Sequence, residues 1–346
     1  MIDFRYHVVS LISVFLALAV GIALGAGPLK ETIGDTLTGQ VQQLRTEKDT
    51  LRTELDATSR DLKDSQDYID AAGPQLLDGA LKDRRVAVVA LGTVDDAVAT
   101  AVDDRLGQAG ATVTAHATLT DAWSDPDQRS FRQALVGNVT QFLDPAPAQG
   151  SDVETELAAA LVQGLTGADP ASPDKLSQDA TYLLEILSTG DSPLVTLADP
   201  VKTGADAVVV VAASPKSQQP AATATAGPTE DDLAPSLSVV EAAQKYSSGA
   251  VLADGERGSG SLTDAILDDD DLAASLTTVS SSADVSSQVN VPLALAARIA
   301  GTNGHYGFGS EETPIPAPVQ LPPVDRTPVA PSGSGQEQGG KNGDNG

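Results

Sequence analysis

The chain of 346 residues carries 48 acidic side chains against 21 basic ones, a formal net charge of −27, with no cysteine and a single methionine. So acidic a chain offers no basic footprint for nucleic acid, and without cysteine it has neither a disulfide framework nor thiol chemistry. Aromatic residues make up 3% of the chain, thin for stacking on sugars or bases, and the scattered aspartates read as a solvated, self-repelling surface.

The chain opens "MIDFRYHVVSLISVFLALAVGIALGAGPL", with no charged residue from Val8 to Leu29. A helix over that stretch reaches about 33 Å, enough for a hydrocarbon core of about 30 Å. A signal peptide has a shorter apolar region behind a basic start, whereas here Asp3 and Arg5 nearly cancel. Cleavage after Ala26, within "ALGAGP", is the alternative reading, and a buried core helix is a third. Length and flanks favour a retained anchor over residues 1–29. Arg5 lies on one side and Lys30 and Arg45 on the other, so the positive-inside count does not decide orientation. The short leading end favours insertion with the C-terminal part outside the cytoplasm. Ala17, Gly21 and Gly25 recur every four residues, a pattern of small residues that lets two helices approach closely in lipid.

Residues 30–73 follow as "…DTLTGQVQQLRTEKDTLRTELDATSRDLKDSQDYID…". Leu37, Val41, Leu44, Leu51, Leu55, Leu62 and Ile69 keep alternating spacings of three and four, with Lys48, Thr58 and Ser65 filling the same register. This heptad pattern predicts a coiled coil joining copies of the chain, with Lys48 fixing register at some loss of stability. The alternative is an amphipathic helix packed on its own domain. Gly73 is expected as the C-cap and Pro74 as the stop.

From residue 84 the period changes. "RRVAVVAL" reads as a buried parallel strand, and "GTVDDAVATAVDDRLGQAG" as a helix with Thr93 and Asp96 in a capping box. Strands over "ATVTAHATL", "GADAVVVVAAS", "AVLADG" and "LTTVSS" alternate with helices over "APSLSVVEAAQKYSSG", "SLTDAIL" and "NVPLALAARIAG". The alternation predicts an α/β domain over residues 84–312, built on a mostly parallel, doubly wound sheet. The stretch 125–190 reads as an inserted helical element, 215–232 as a flexible loop, and the Pro/Gly-rich 313–346 as a disordered tail.

Chemistry is sparse. After the first strand stands one glycine, Gly92, so the dinucleotide fingerprint is absent. "DGERGSGS" (Asp254–Ser261) precedes a helix and could cradle an anion, but reads first as a tight strand-to-helix turn. "DDDD" (Asp268–Asp271) lacks the spacing of a calcium loop and reads as a solvated, helix-capping loop. Three histidines exist: His7 at the membrane edge, His116 in a strand, and His305 within "GTNGHYGFG". His305 is the best candidate for a functional role, weighed against a hydrogen-bonded structural one. No nucleophile elbow and no H-E-x-x-H pair occurs. The chain therefore reads as a non-enzyme, without catalytic or cofactor-binding residues and with metal ligands unassigned.

The opening Met1–Leu29, the heptads behind it, "RVAVVAL" at the start of the sheet and "GHYGFG" near its end resemble the mycobacterial copper transport protein B family. That resemblance implies a membrane protein of actinobacterial envelopes acting in copper efflux and homeostasis, with an outer-membrane location and a pore. Its partners would be the membrane, further copies of itself, and copper or a copper-carrying protein. The second reading of the residues is a non-catalytic anchored scaffold that dimerises through its coiled coil. Copper prefers thiolate, thioether and imidazole ligands; here these reduce to the first methionine and three scattered histidines.

Overall fold

The computed structural model describes residues 4–26, 28–212, 230–258 and 260–329. The chain divides into two units, Met1–Asp67 and Tyr68–Gly346.

The first unit is helical. Helix α1 (Phe4–Ala26) is apolar all round and uncovered by the rest of the chain, with mean hydropathy 2.6 over Phe4–Gly25. Among the described residues it is the one helix long and apolar enough to cross a membrane. Ser13 satisfies its hydroxyl within the helix, donating to the Val9 carbonyl at 2.8 Å. A Cβ added at Gly21 or Gly25 would meet nothing within 4 Å. Helix α2 (Pro28–Leu77) carries the heptads. Its seam residues Leu37, Val41, Leu44, Leu51, Leu55 and Leu62 are between 45% and 65% exposed.

The second unit begins with the last turns of α2, and here the expected helix stop at Gly73–Pro74 is corrected. The helix continues through Pro74 to Leu77. Gly73 serves close packing instead: a Cβ there would lie 2.8 Å from Arg105 Nη1 and 3.3 Å from Val289 Cγ2. Leu77 and, beyond the helix, Leu81 are fully buried, so core contacts carry the helix past a residue that removes one backbone hydrogen bond.

There follow β1 (Arg85–Ala90), α3 (Asp96–Gln108), β2 (Thr112–Leu119), α4 (Arg129–Val139), α5 (Val153–Thr166), β3 (Ala168–Asp169), β4 (Ser172–Leu176), α6 (Gln178–Ser188) and β5 (Val195–Leu197). Then come β6 (Ala207–Val211), α7 (Glu230–Lys245), β7 (Ala250–Ala253), α8 (Leu262–Leu267), α9 (Asp270–Ser275), β8 (Thr278–Val279), α10 (Val285–Ile299) and β9 (His305–Tyr306). The fold class is α/β. Seven strands form one sheet in the order β5-β2-β1-β6-β7-β8-β9. Its neighbours pair in parallel except β5, which runs antiparallel to β2. The valine run of β6 is buried at every residue, as expected for a strand covered on both faces. Successive strand residues point to opposite faces. Accordingly Val89, Val208, Val210 and Leu252 join one apolar cluster with Leu161 of α5 and Val240 of α7, while Val88, Val209, Val211 and Val251 join another with Leu106 of α3 and Leu295 of α10.

Several local expectations change. The cap of α3 is Asp95, whose side chain accepts from the Ala97 N–H at 2.8 Å, rather than Thr93. Helix α10 begins at Val285, ahead of the expected "NVPLALAARIAG", and holds Pro292 inside. The stretch 125–190 contains α4, α5 and α6 but also the β3–β4 hairpin. Of the loop read over 215–232, residues 215–229 lie outside the described residues and Glu230 opens α7.

The largest correction concerns the expected disordered tail. Residues 313–329 lie along the domain as an extended strap, and 330–346 fall outside the described residues. Asn290 Nδ2 donates to the Pro314 carbonyl at 2.8 Å and Arg84 Nη2 to the Pro322 carbonyl at 3.0 Å. Val319 and Leu321 pack against the cluster that holds Leu77. Arg326 Nη2 reaches Asp206 Oδ2 at 2.6 Å and the Asp83 carbonyl at 3.0 Å. Proline has no N–H, but its carbonyl accepts freely and its fixed φ holds an extended chain. The apolar residues set between the prolines supply the contacts that a composition count overlooks.

Candidate functional site

Ligands of open parallel sheets gather at the carboxyl ends of the strands. At that edge two sequence words, read separately, come together. The chain leaving β7 turns through Asp254, which is 1% exposed. Asp254 Oδ1 accepts from the Gly255 N–H at 2.8 Å, and Oδ2 from Ser261 Oγ and the Thr263 N–H, each at 2.8 Å. A buried carboxylate needs such donors. "DGERGSGS" is thus closed on its own aspartate, the tight-turn reading of that loop.

Arg257 extends from the same loop. Its Nε donates to Asp264 Oδ1 at 2.6 Å, and its Nη1 donates to the Ser310 carbonyl at 2.6 Å. Ser310 follows "GHYGFG". Glu312 Oε2 accepts from the Gly309 N–H at 2.7 Å. A Cβ on Gly309 would lie 2.7 Å from Arg257 Nη1 and 2.8 Å from Glu312 Oε2, and one on Gly307 would collide with Ser280 Oγ and Glu312 Oε2. Gly309 thus allows close approach to the turn after β7, and Gly307 allows it to Ser280 and Glu312. Thr263 Oγ1 and Glu312 Oε1 are buried there without a hydrogen-bond partner.

His305 and His116 each have partners of their own. His305 uses both ring nitrogens: Nε2 lies 3.0 Å from the Ala273 carbonyl, which can only accept, so Nε2 carries the proton. Nδ1 then accepts from Thr278 Oγ1 at 2.9 Å. The ring pins β9 to β8 and α9, and neither nitrogen is free for a metal. His116 on β2 meets Asp103 of α3, Nε2 to Oδ2 at 2.9 Å. That hydrogen bond holds the imidazole above its ordinary pKa, against partial burial and with help from the charges of Asp103 and Asp199. His7 lies on the exposed α1. Asp269 caps α9, accepting from the Asp271 and Leu272 N–H groups at 2.9 and 3.0 Å. Among the described residues no group of three or more His, Cys, Asp or Glu side chains could hold a metal ion.

Two clefts of about 490 Å³ flank the sheet. One lies between the strap, the chain after α2 and α10, lined by Leu76, Leu293, Val319 and Leu321. The other runs beside the edge strand β5, lined by Leu184, Val195, Leu197 and Val201. The first cleft is also lined by Asp78, Lys82, Asp83 and Gln320, whereas the more apolar lining of the second suits an organic ligand or a peptide better than an ion.

The family described as "Copper transport outer membrane protein, MctB" matches residues 1–316, from the apolar helix through the sheet to "GHYGFG" and the start of the strap. This chain belongs to the MctB family. The proteins named "Copper transporter MctB" of Mycobacterium tuberculosis H37Rv and Mycobacterium bovis are each 31% identical over 324 residues, covering 89% of this chain and 97% of theirs. The Mycobacterium leprae protein of the same name is 29% identical over 196 residues, 55% of this chain and 61% of its own. The resemblance read from Met1–Leu29 and "GHYGFG" is thus a family relation over most of the chain. Its two most specific words mark an apolar helix and a tight structural junction, and neither marks a ligand cluster.

Proposed function

We propose that this protein is a membrane-anchored copper-transport component of the cell envelope, acting in copper efflux and homeostasis. The observation that carries the reading is the MctB family match over residues 1–316, together with relatives named copper transporters that align over nearly their whole length. Helix α1 is the retained anchor, with the C-terminal unit outside the cytoplasm. Helix α2 is the coiled coil through which copies associate, supported by its heptads and exposed seam. The α/β domain is a doubly wound, non-catalytic recognition module, with α3 and α10 on one face and α5 and α7 on the other. Copper is cargo, delivered or received by a partner that supplies soft ligands, because the described residues offer none in a cluster.

A second reading, an anchored scaffold with no copper role, draws on the same exposed seam. A deletion strain separates the two. The copper reading expects excess cellular copper and poor growth on copper salts. Rescue is expected from the intact chain and from a His116→Ala/His305→Ala double variant, but not from a chain lacking residues 1–70. Wild-type copper content and tolerance in the deletion strain would overturn the copper reading and leave the scaffold. Failure of a well-expressed double variant would show that imidazole ligation matters.

A further inference from the structure

Helix α2 carries, beside its apolar seam, a charge arrangement that selects one geometry of association. With Val41, Lys48, Leu55 and Leu62 at the a positions and Leu37, Leu44, Leu51 and Thr58 at d, the flanking g positions hold Gln40, Glu47, Glu54 and Asp61. The flanking e positions hold Arg45, Arg52, Ser59 and Gln66. Every charged g residue is acidic and every charged e residue is basic. Among the described residues Arg45, Glu47, Arg52 and Glu54 have no ion-pair or hydrogen-bond partner, whereas Lys63 and Asp67, away from the seam, pair with each other at 2.6 Å. The seam itself is 45% to 65% exposed from Leu37 to Leu62, and the next a residue, Ile69, is already taken up by the second unit's core.

We infer that α2 pairs with α2 of a second copy as a parallel, in-register, two-stranded coiled coil spanning Leu37–Leu62. In a parallel pair, g of one helix faces the following e of the other. Glu47 then meets Arg52 twice by symmetry, and Gln40 meets Arg45. In an antiparallel pair, e faces e and g faces g, setting arginine against arginine and acid against acid. Leucine at three of the four d positions with Val41 at a suits two strands, and a lone lysine at a fixes register; the Lys48 ammonium lies beside the Glu47 carboxylate of the other helix. The parallel arrangement also begins both helices at the same end, as two anchors in one membrane require. The inference rests on the proposal that α2 is the self-association element, and adds its orientation, register and strand number.

The chain has no cysteine, so Leu37→Cys and Leu62→Cys each place a unique thiol at one end of the seam. The full-length chain in detergent micelles is treated with diamide, each variant alone and both co-expressed, with light scattering of the unsubstituted chain alongside. The expected result is a dimer in which each variant links to itself and no 37-to-62 link forms. Links confined to the co-expressed pair would show an antiparallel dimer and overturn the inference, as would a dimer without links, whose register is staggered. A monomer at tens of micromolar would overturn self-association itself. A charge exchange tests the same geometry without touching the seam. Glu47→Arg is expected to weaken the dimer by about tenfold at low salt, the exposed Glu47–Arg52 and Glu47–Lys48 attractions having become repulsions. Glu47→Arg/Arg52→Glu re-forms the 47–52 attraction and is expected to recover part of the loss, the charge at position 47 still opposing Lys48. Unchanged association in the single variant would count against the parallel pairing.

Discussion

The two ends of α2 meet different fates. From Leu37 to Leu62 the apolar stripe stands exposed, whereas Ile69 packs against the core and Leu77, one position out of the heptad register, is fully buried. Gly73 lies against Arg105, whose guanidinium pairs with Asp70 and donates to Gln108 Oε1 at 2.8 Å. A heptad stripe states that a helix needs a partner. Whether that partner is another chain or the helix's own domain depends on what the rest of the sequence places beside it. Here the domain covers the end from Ile69 onward and leaves the preceding heptads exposed.

Breaking the buried end should have the largest effect. Leu77→Ala is expected to lower the stability of the domain by about 3 kcal/mol in urea unfolding, through lost burial and a cavity. Leu51→Ala in the exposed stripe should leave the unfolding free energy of the domain unchanged and weaken only association. A loss below about 1 kcal/mol for Leu77→Ala would mean the helix end is not part of the core.

Glycine sharpens the contrast. Gly73→Val should destabilise by about 1–3 kcal/mol, because the new side chain displaces Arg105 and crowds Val289. Gly39 has nothing within 4 Å of an added Cβ, so Gly39→Ala should stabilise the helix by about 0.5–1 kcal/mol. The measurement is thermal unfolding of both variants followed by circular dichroism. Equal signs would erase the distinction between the two ends.

The strap lies on the cluster that receives the helix end. Arg326→Ala removes its bonds to Asp206 and to the Asp83 carbonyl, and about 1 kcal/mol of stability should go with them. The residues flanking position 326 should then exchange amide hydrogens faster, while those of the Leu37–Leu62 stripe do not change.

The smallest effect concerns α3, which holds the helix end with Arg105 and meets β2 through Asp103 and His116. The His116 pKa is raised in the folded chain above its ordinary 6.5. Its pairing with Asp103 therefore adds stability that is full below about pH 6.5 and is lost as pH rises through the folded value. Because His116 is 44% exposed at its side chain, the amount is about a few tenths of a kcal/mol. Asp103→Asn should bring the imidazole titration, followed by NMR, back toward 6.5 and flatten that part of the pH dependence. A titration that does not move would remove the hydrogen bond as the cause.

The sequence by itself determined what repeats locally: an uncharged helix of membrane-spanning length, a heptad stripe, and valine-rich strands alternating with helices. Those features arise from one segment's own period and need no knowledge of neighbours. Tertiary structure decided what depends on distant residues. Gly73 and Pro74 resemble a helix stop until Arg105 and Leu77 show why the helix continues. The prolines after Thr313 suggest disorder until Asn290, Arg84 and Asp206 supply partners. His305 looks available among glycines, yet Thr278 and Ala273 occupy both its nitrogens. "DGERGSGS" and "GHYGFG" lie far apart in sequence and carry no mutual signal, because their contact is made by parallel strands whose ends meet only once the sheet has formed. Long-range hydrogen bonds and close backbone approaches leave no period in a sequence, and those contacts turned candidate ligand-binding words into a structural junction.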